Sequence, residues 1–182
     1  MNRAISQVIV LKRVDEKARI IEGVASTPTP DSYDDVIEST GARYKLPIAF
    51  LWQHEHNKPV GHVEFAAADK RGIGFRARLA QCDEPGALHD RLEEAWQSIK
   101  AGLVRGVSIG FRPIKMEPRG NGSPGMRFTE WQWLELSAVT IPANADASIV
   151  SIRSADDAQR RVHLPPVRMV RLSDPPYGSK AR

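Results

Sequence analysis

The chain of 182 residues, 41% of them hydrophobic, is long enough for one domain with a core and too short for two full domains. Its apolar runs are short and interrupted by charge, so none approaches the roughly 20 residues that span a bilayer. The first residues lack the basic-then-apolar layout of a secretory signal. A single cysteine, Cys82, excludes an internal disulfide and a thiolate cluster for zinc. We therefore expect a soluble cytoplasmic protein with no membrane partner.

The positive charge is concentrated near the C-terminal end. The formal net charge is +4, and residues 151–182 hold seven of the 26 Lys and Arg but only three of the 22 Asp and Glu. Residues 1–150 therefore carry 19 charges of each sign. The basic segment contains four prolines and has little to bury. We expect a folded domain over residues 1–153 and a basic, Pro-rich, flexible tail over 154–182, which is solvated rather than bound to nucleic acid.

Short strands dominate the predicted secondary structure. Alternating apolar residues and turn signals predict strands over 7–14, 19–25, 46–52, 63–67, 73–79 and 148–153. In the 73–79 strand, Phe75, Ala77 and Leu79 should face inward because side chains alternate along a strand. Between the second and third strands, two prolines and three acids favour a loop over 27–35. Its aspartates lack the spacing of a calcium-binding loop, so turn formation is the preferred interpretation.

Three histidines follow the third strand and form the densest cluster of groups that titrate near neutral pH. His54 and His56 would share one face of a strand, which permits a metal site completed by an acid such as Glu55 or Asp31. No third ligand is fixed by the spacing, however. Alternatively, one imidazole is a general base for a hydroxyl. We interpret His56 and His62 as surface residues.

One amphipathic helix is predicted over about 85–102. Apolar residues recur at intervals of three and four: Leu88, Leu92, Ala95, Trp96, Ile99 and Leu103. Asp83 or Glu84 is placed to cap its start, and Gly102 or Gly106 to end it.

Beyond the helix lies a serine between glycines, in Gly106-Val107-Ser108-Ile109-Gly110-Phe111. An extended strand would send Val107, Ile109 and Phe111 inward and the Ser108 hydroxyl to the other face. Alone, this pattern is more typical of a strand end or a tight turn than of a nucleophile. A functional interpretation therefore needs a base and an orienting acid elsewhere in the chain.

A candidate acid lies in the last long strand. Residues 113–125 are rich in Gly, Pro and charge and predict an exposed loop, after which 128–141 predicts a strand. Glu135 lies inside this strand among tryptophans and leucines. Because burying an unpaired carboxylate is costly, Glu135 requires a partner such as an imidazole or an arginine.

Four segments together resemble the prohead maturation proteases of tailed bacteriophages. They are Asp31-Ser32-Tyr33-Asp34-Asp35-Val36-Ile37; Leu51-Trp52-Gln53-His54-Glu55 with Pro59-Val60-Gly61; Gly106-Val107-Ser108-Ile109-Gly110-Phe111; and Leu134-Glu135-Leu136-Ser137-Ala138-Val139 with Pro142-Ala143-Asn144 and Ala147. The segments occur in the family's order and cover most of residues 20–152. The family's usual His-Asp is His54-Glu55 here, and the basic tail lies outside the resemblance.

The resemblance implies a serine endopeptidase related in fold to herpesvirus assemblins. The fold class would be α+β and mostly β, an antiparallel β-barrel with a few flanking helices. Ser108 would be the nucleophile, His54 the general base and Glu135 the third member, with no metal or cofactor. The partners would be the major capsid protein, the scaffold and other copies of the protease, inside the procapsid in the host bacterial cytoplasm.

The chemistry of these residues agrees with that implication. A serine hydroxyl needs a base near neutral pH, and an ionised Glu135 would fix the imidazole tautomer. Gly106 and Gly110 would leave room for substrate backbone, and main-chain N–H groups near Ser108 would stabilise the oxyanion. Two alternatives remain at this point: a metal-dependent hydrolase that uses His54 and His56, and an inactive capsid-assembly or scaffold-binding module.

Overall fold

The computed structural model describes residues 18–153. The predicted strand over 7–14 and the predicted tail over 154–182 lie outside this range. Within it the chain forms nine strands and one α-helix. The strands are β1 (Ile20–Ser26), β2 (Val36–Ile37), β3 (Ala42–Arg43), β4 (Ile48–Trp52), β5 (Glu55–Asp69), β6 (Gly72–Leu79), β7 (Gly106–Pro118), β8 (Met126–Val139) and β9 (Ser148–Arg153), and the helix is α1 (Ala87–Lys100).

Seven of these strands close into a barrel. The neighbours follow the order β8, β4, β5, β6, β1, β9, β7, and β7 also pairs with β8. Most pairs are antiparallel, but β4 runs parallel to β8, as do the short β2 and β3. The predicted antiparallel β-barrel is thus correct except for the parallel pairs that β2, β3 and β4 make with β8. A few flanking helices were expected, and residues 18–153 contain one α-helix. Strand β8 has the β7 hairpin on one edge and three segments from the first half of the chain on the other.

The core fills the barrel and continues under α1. Its largest fully buried side chains include Phe50, Phe75, Trp96 and Trp131. Phe75, Ala77 and Leu79 are buried, as the alternation along their strand predicts. No helix among residues 18–153 is long and apolar enough to cross a membrane.

The predicted helix forms, with corrections at both ends. Four residues of the apolar stripe are buried, namely Leu92, Ala95, Trp96 and Ile99, but Leu88 and Leu103 are exposed. Leu103 is exposed because the helix has already ended at Lys100, and Gly102 follows with a left-handed φ of +69°. The N-cap residue is Gly86 rather than Asp83 or Glu84, and it makes no side-chain cap hydrogen bond. The helix starts too late for either acid to reach it.

The predicted loop over 113–125 is wrong in its first half, since β7 continues to Pro118. The strand tolerates prolines there because its outer edge is unpaired: β7 meets β9 only where Gly106 lies opposite Ser148. From Ser108 onward, that edge has no strand partner within residues 18–153. The barrel therefore has an open seam beside Ser108.

Candidate active site

Ser108 lies where β7 leaves the closed part of the barrel. It sits opposite Ser137 of β8 and is only 8% exposed. Val107 is fully buried, whereas Ile109 and Phe111 pack against the core and also line a cavity that Ser108 lines. The predicted inward orientation of the apolar residues is therefore complete only for Val107. The other two form the wall of the open seam.

His54 is held in a tight turn rather than on a strand face. Gln53 and His54 form the two-residue connection between β4 and β5, and both have left-handed φ angles, +52° and +60°. Two positive φ angles are typical of the type I′ hairpin turn, which usually contains Asn or Gly. The expectation that His54 and His56 share a strand face is wrong, because the turn separates them.

The turn is fixed to β8 by its backbone. Gln53 N–H donates to the carbonyl of Ala138 at 3.0 Å, and His54 N–H donates to Ser137 Oγ at 3.2 Å. The Gln53 side-chain amide also donates to Thr140 Oγ1 at 3.1 Å. A left-handed non-glycine residue costs about 1–2 kcal/mol. Strain of this kind persists where surrounding contacts determine the conformation, as they do here.

Glu135 has the partner that its burial requires. The residue is 6% exposed, and its Oε1 lies 2.8 Å from His54 Nδ1. Its Oε2 accepts a hydrogen bond of 2.6 Å from Ser137 Oγ. The prediction that Glu135 pairs with an imidazole or an arginine is thus confirmed. A carboxylate can only accept, so Nδ1 carries the proton and Nε2 of a neutral His54 is left with its lone pair.

Two positions near Ser108 require glycine, but not for the predicted reason. A Cβ on Gly110 would lie 2.2 Å from Glu135 Oε1, and a Cβ on Gly106 would lie 2.7 Å from the ring of Pro142. The space beside each glycine is therefore already filled by protein. The expectation that these glycines leave room for substrate backbone is wrong, and Gly110 instead makes room for the carboxylate that holds His54.

A cavity of about 270 Å³ joins the histidine and the serine. It is lined by His54, Ser108, Ile109 and Phe111, by Ala25, Ser26 and Ile37, by Asp31, Tyr33 and Asp35, and by Ala143, Asn144 and Ala147. Ser108 and His54 thus face one space, but no hydrogen bond joins them in the described part of the chain. Such bonds are often long in unliganded enzymes and tighten when substrate binds.

Asn144 joins two of the cavity walls. Its side-chain amide donates to the carbonyl of Thr27 at 2.9 Å, and its Oδ1 accepts the backbone N–H of Asp146 at 2.9 Å. The carbonyl of Ala143 accepts the N–H of Ser32 at 2.9 Å. The segment after β8 and the loop over 27–35 are therefore docked on one another. In the sequence, Asn144 was identified only as part of a segment of the resemblance, with no role of its own.

The three acids of the 27–35 loop fix its conformation in two different ways. Asp31 Oδ1 accepts the backbone N–H groups of Tyr33 and Asp35, at 2.8 and 3.0 Å. Asp34 pairs with Arg119, and its hydrogen bond from Ser123 holds the pKa of the carboxyl below its ordinary value. The interpretation as a turn former is confirmed for Asp31. The side chains of Asp34 and Asp35 instead bond to Arg119 and to the backbone N–H of Met126, and so tie the loop to the end of β7 and the start of β8.

The residues of the metal alternative do not assemble. Within residues 18–153, no group of three His, Cys, Asp or Glu side chains is arranged to hold a metal ion. His56 and His62 are exposed, as expected of surface residues. His54 already uses Nδ1 on Glu135.

Ser137 is the residue that sequence reasoning missed. It lies in a segment quoted for the resemblance, yet received no role. The available signal was its position two residues from Glu135, because alternate residues of a strand share a face. Its contact with the backbone of His54, 83 residues away, had no sequence signal.

A buried carboxylate holding a histidine beside a serine is the arrangement of a serine hydrolase site. The chain belongs to the caudovirus prohead serine protease family, whose model matches residues 10–161. It is 52% identical over 181 residues to a capsid polyprotein of Pseudomonas phage PAJU2, covering 99% of this chain and 26% of the relative. It is 31% identical to the prohead protease of Enterobacteria phage HK97, covering 78% of this chain and 64% of the relative.

Two further matches are more limited. A major capsid protein of Halomonas phage phiHAP-1 is 30% identical over 59% of this chain and 18% of its own length. The crystal structure of the KSHV protease with a hexapeptide phosphonate inhibitor aligns with a TM-score of 0.42 and 11% identity, over 71% of this chain and 63% of that one. The chain thus spans less than two thirds of the length of each curated relative.

Proposed function

We propose that this chain is the prohead maturation serine endopeptidase of a tailed phage or prophage. The observation that carries the proposal is the His54–Glu135 pair at 2.8 Å, facing a cavity that Ser108 also lines, in a member of a serine protease family. The nucleophile is Ser108, the general base is His54 and the orienting acid is Glu135.

The geometry supports this division of roles. Glu135 accepts the Nδ1 proton, so Nε2 of His54 is free to take the Ser108 proton as Oγ attacks the scissile carbonyl carbon. The carboxylate then stabilises the imidazolium. His54 returns the proton to the leaving amine as the tetrahedral intermediate collapses to an acyl-enzyme. Water, deprotonated by the same imidazole, hydrolyses the ester and regenerates Ser108.

The open edge of β7 supports a way for substrate to bind. Val107 N–H donates across this edge to the carbonyl of Ala147 at 3.3 Å. Backbone groups two residues apart on a strand point the same way, so the N–H and C=O of Ile109 face the open seam. An extended peptide would add there as a strand, and backbone pairing of this kind tolerates varied sequences. We assign the Ile109 N–H, one residue after the nucleophile, as the main-chain oxyanion donor.

The names of the relatives support the choice of substrate. Two of them are called capsid polyprotein and major capsid protein. The substrates proposed here are the scaffold or the scaffolding segment of the major capsid protein, and the protease itself. Cleavage takes place inside the procapsid in the host cytoplasm, where copies of the protease are confined together.

Co-expression with the capsid and scaffold proteins of the same phage tests this function. The wild-type chain should shorten one of those proteins, and intact-mass analysis gives the cleaved bond. Ser108→Ala and His54→Ala should each leave all chains full length, since loss of either residue typically costs several orders of magnitude in rate. His56→Ala, which changes an exposed histidine of the same cluster, serves as the matched control and should cleave normally.

Two outcomes would overturn the proposal. Cleavage that survives Ser108→Ala but stops with a chelator would establish the metal-dependent alternative. Full-length partners with the wild-type chain, bound to it but never cut, would instead establish the binding module.

A further inference from the structure

Ser137 connects the two parts of the site that hold His54. Its hydroxyl donates to Glu135 Oε2 at 2.6 Å and accepts the backbone N–H of His54 at 3.2 Å. Together with the bond from His54 Nδ1 to Glu135 Oε1, these contacts close a ring through three residues. Ser137 has no exposed surface, so water does not compete for either bond.

This ring of hydrogen bonds fixes the orientation of the His54 imidazole and of the Glu135 carboxylate. The His54 side chain is 45% exposed, so its hydrogen bond to Glu135 is the main restraint on the orientation of the imidazole. Glu135 offers two oxygens, and the Ser137 bond to Oε2 turns Oε1 toward the imidazole. The same hydroxyl holds the backbone of the strained turn, at the residue whose φ is +60°. Ser137 therefore orients both the base and the acid.

Its place on β8 links this ring to the nucleophile. Ser137 lies directly opposite Ser108 in the β7–β8 pair, and Glu135 lies opposite Gly110. Strand β8 thus carries Glu135 and Ser137 at alternate positions, and it pairs with β7, which carries the nucleophile Ser108. Small displacements of a base relative to its nucleophile cost large factors in rate.

We infer that Ser137 is a positioning residue of the catalytic site, which acts through Glu135 and His54 without touching substrate. This inference rests on the proposed function. It predicts that loss of the Ser137 hydroxyl lowers kcat and leaves substrate binding unchanged, because no contact to the cavity is removed. Hydrogen bonds to charged groups imply a loss of about 10- to 100-fold in kcat.

The test uses Ser137→Ala and Ser137→Cys in the full chain, with a peptide that spans the cleaved bond as substrate. The cysteine keeps the volume but is a weak donor, so it separates hydrogen bonding from packing. Ser39→Ala is the matched control, since Ser39 is also a buried serine, 2% exposed, and its hydroxyl has no hydrogen-bond partner. Both Ser137 variants should lose kcat with KM within about two-fold, and Ser39→Ala should not.

A double variant shows whether Ser137 works through Glu135. Adding Ser137→Ala to Glu135→Ala should lower kcat by a smaller factor than Ser137→Ala does alone, because only the bond to the His54 backbone is then left to lose. A full further loss in the double variant, or wild-type kcat in Ser137→Ala, would overturn the inference. A cooperative melt lost in both Ser137 variants would also overturn it, by assigning the residue to the fold. Activity of Ser108→Ala, measured alongside, would refute the proposed function instead.

Discussion

Gly110 and Glu135 face each other across β7 and β8, and the space that a side chain on Gly110 would take is occupied by the carboxylate. The same carboxylate is held on its two oxygens by His54 and Ser137. It cannot move away from Gly110 without breaking one of these bonds. The glycine is thus required by the acid beside it rather than by backbone conformation or by substrate.

Gly110→Ala should therefore impair catalysis more than folding. A Cβ at 2.2 Å from Oε1 displaces the carboxylate and releases His54, so kcat should fall by at least about 10-fold. Peptide cleavage and a thermal melt measure the two effects. Adding Gly110→Ala to Glu135→Ala is the control and should change kcat little, since the side chain that clashes is already gone. A large additional loss would show that Gly110 acts through the strand itself.

At the scale of single elements, an ion pair attaches α1 to the residue that precedes β1. The Arg19 guanidinium bonds to Glu93 and lies 5.8 Å from the centre of the Trp96 ring. The hydrogen bond from Arg19 holds the pKa of Glu93 below its ordinary value of 4.5, against partial burial, which raises it. A carboxyl whose pKa is lowered on folding stabilises the fold above its unfolded pKa and loses that contribution as the pH falls through its folded pKa.

Glu93→Gln should therefore reduce the free energy of unfolding in a pH-dependent way. Near neutral pH we expect a loss of about 1–2 kcal/mol, because a charge-assisted hydrogen bond is weakened next to a buried arginine. The difference from wild type should shrink as the pH falls below about 4.5. Urea unfolding at several pH values measures this. Glu94→Gln, at an exposed neighbouring position, should differ from wild type by less than about 0.5 kcal/mol at any pH.

The elements themselves were largely predictable, because local periodicity encodes them. The apolar stripe of α1 and the inward residues of β6 both follow from spacing along the chain. The exposed Leu103 and the extended β7 were not predictable in this way, since one depends on where a helix stops and the other on a strand paired across the barrel. The same limit applies to the site. Burial of Glu135 among tryptophans predicted a partner, but the turn that points His54 at it, 81 residues away, had no local signal.

At the scale of the whole molecule, barrel closure is what assembles the site. His54 comes from the β4–β5 turn, Glu135 from β8 and Ser108 from β7, and β8 pairs with both β4 and β7. The barrel is closed by β9, which joins β1 to the start of β7. Its Ile149 is 3% exposed and donates its N–H to the carbonyl of Arg105 at 2.9 Å. We therefore propose that the folded unit extends to the end of β9 and that residues 154–182 are not needed for it.

Truncation on either side of β9 tests that boundary. A chain ending at Ser154 retains every strand of the barrel, so it should keep a cooperative thermal melt and cleave its substrate in co-expression. A chain ending at Ala147 lacks β9, which leaves β1 paired only with β6 and removes Ile149 from the core. It should lose the cooperative melt, because the barrel is opened between β1 and β7 and the buried Ile149 is lost from a fold whose net stability is only about 5–15 kcal/mol. Insolubility of the longer chain would place the boundary beyond β9 and give the basic segment a structural role.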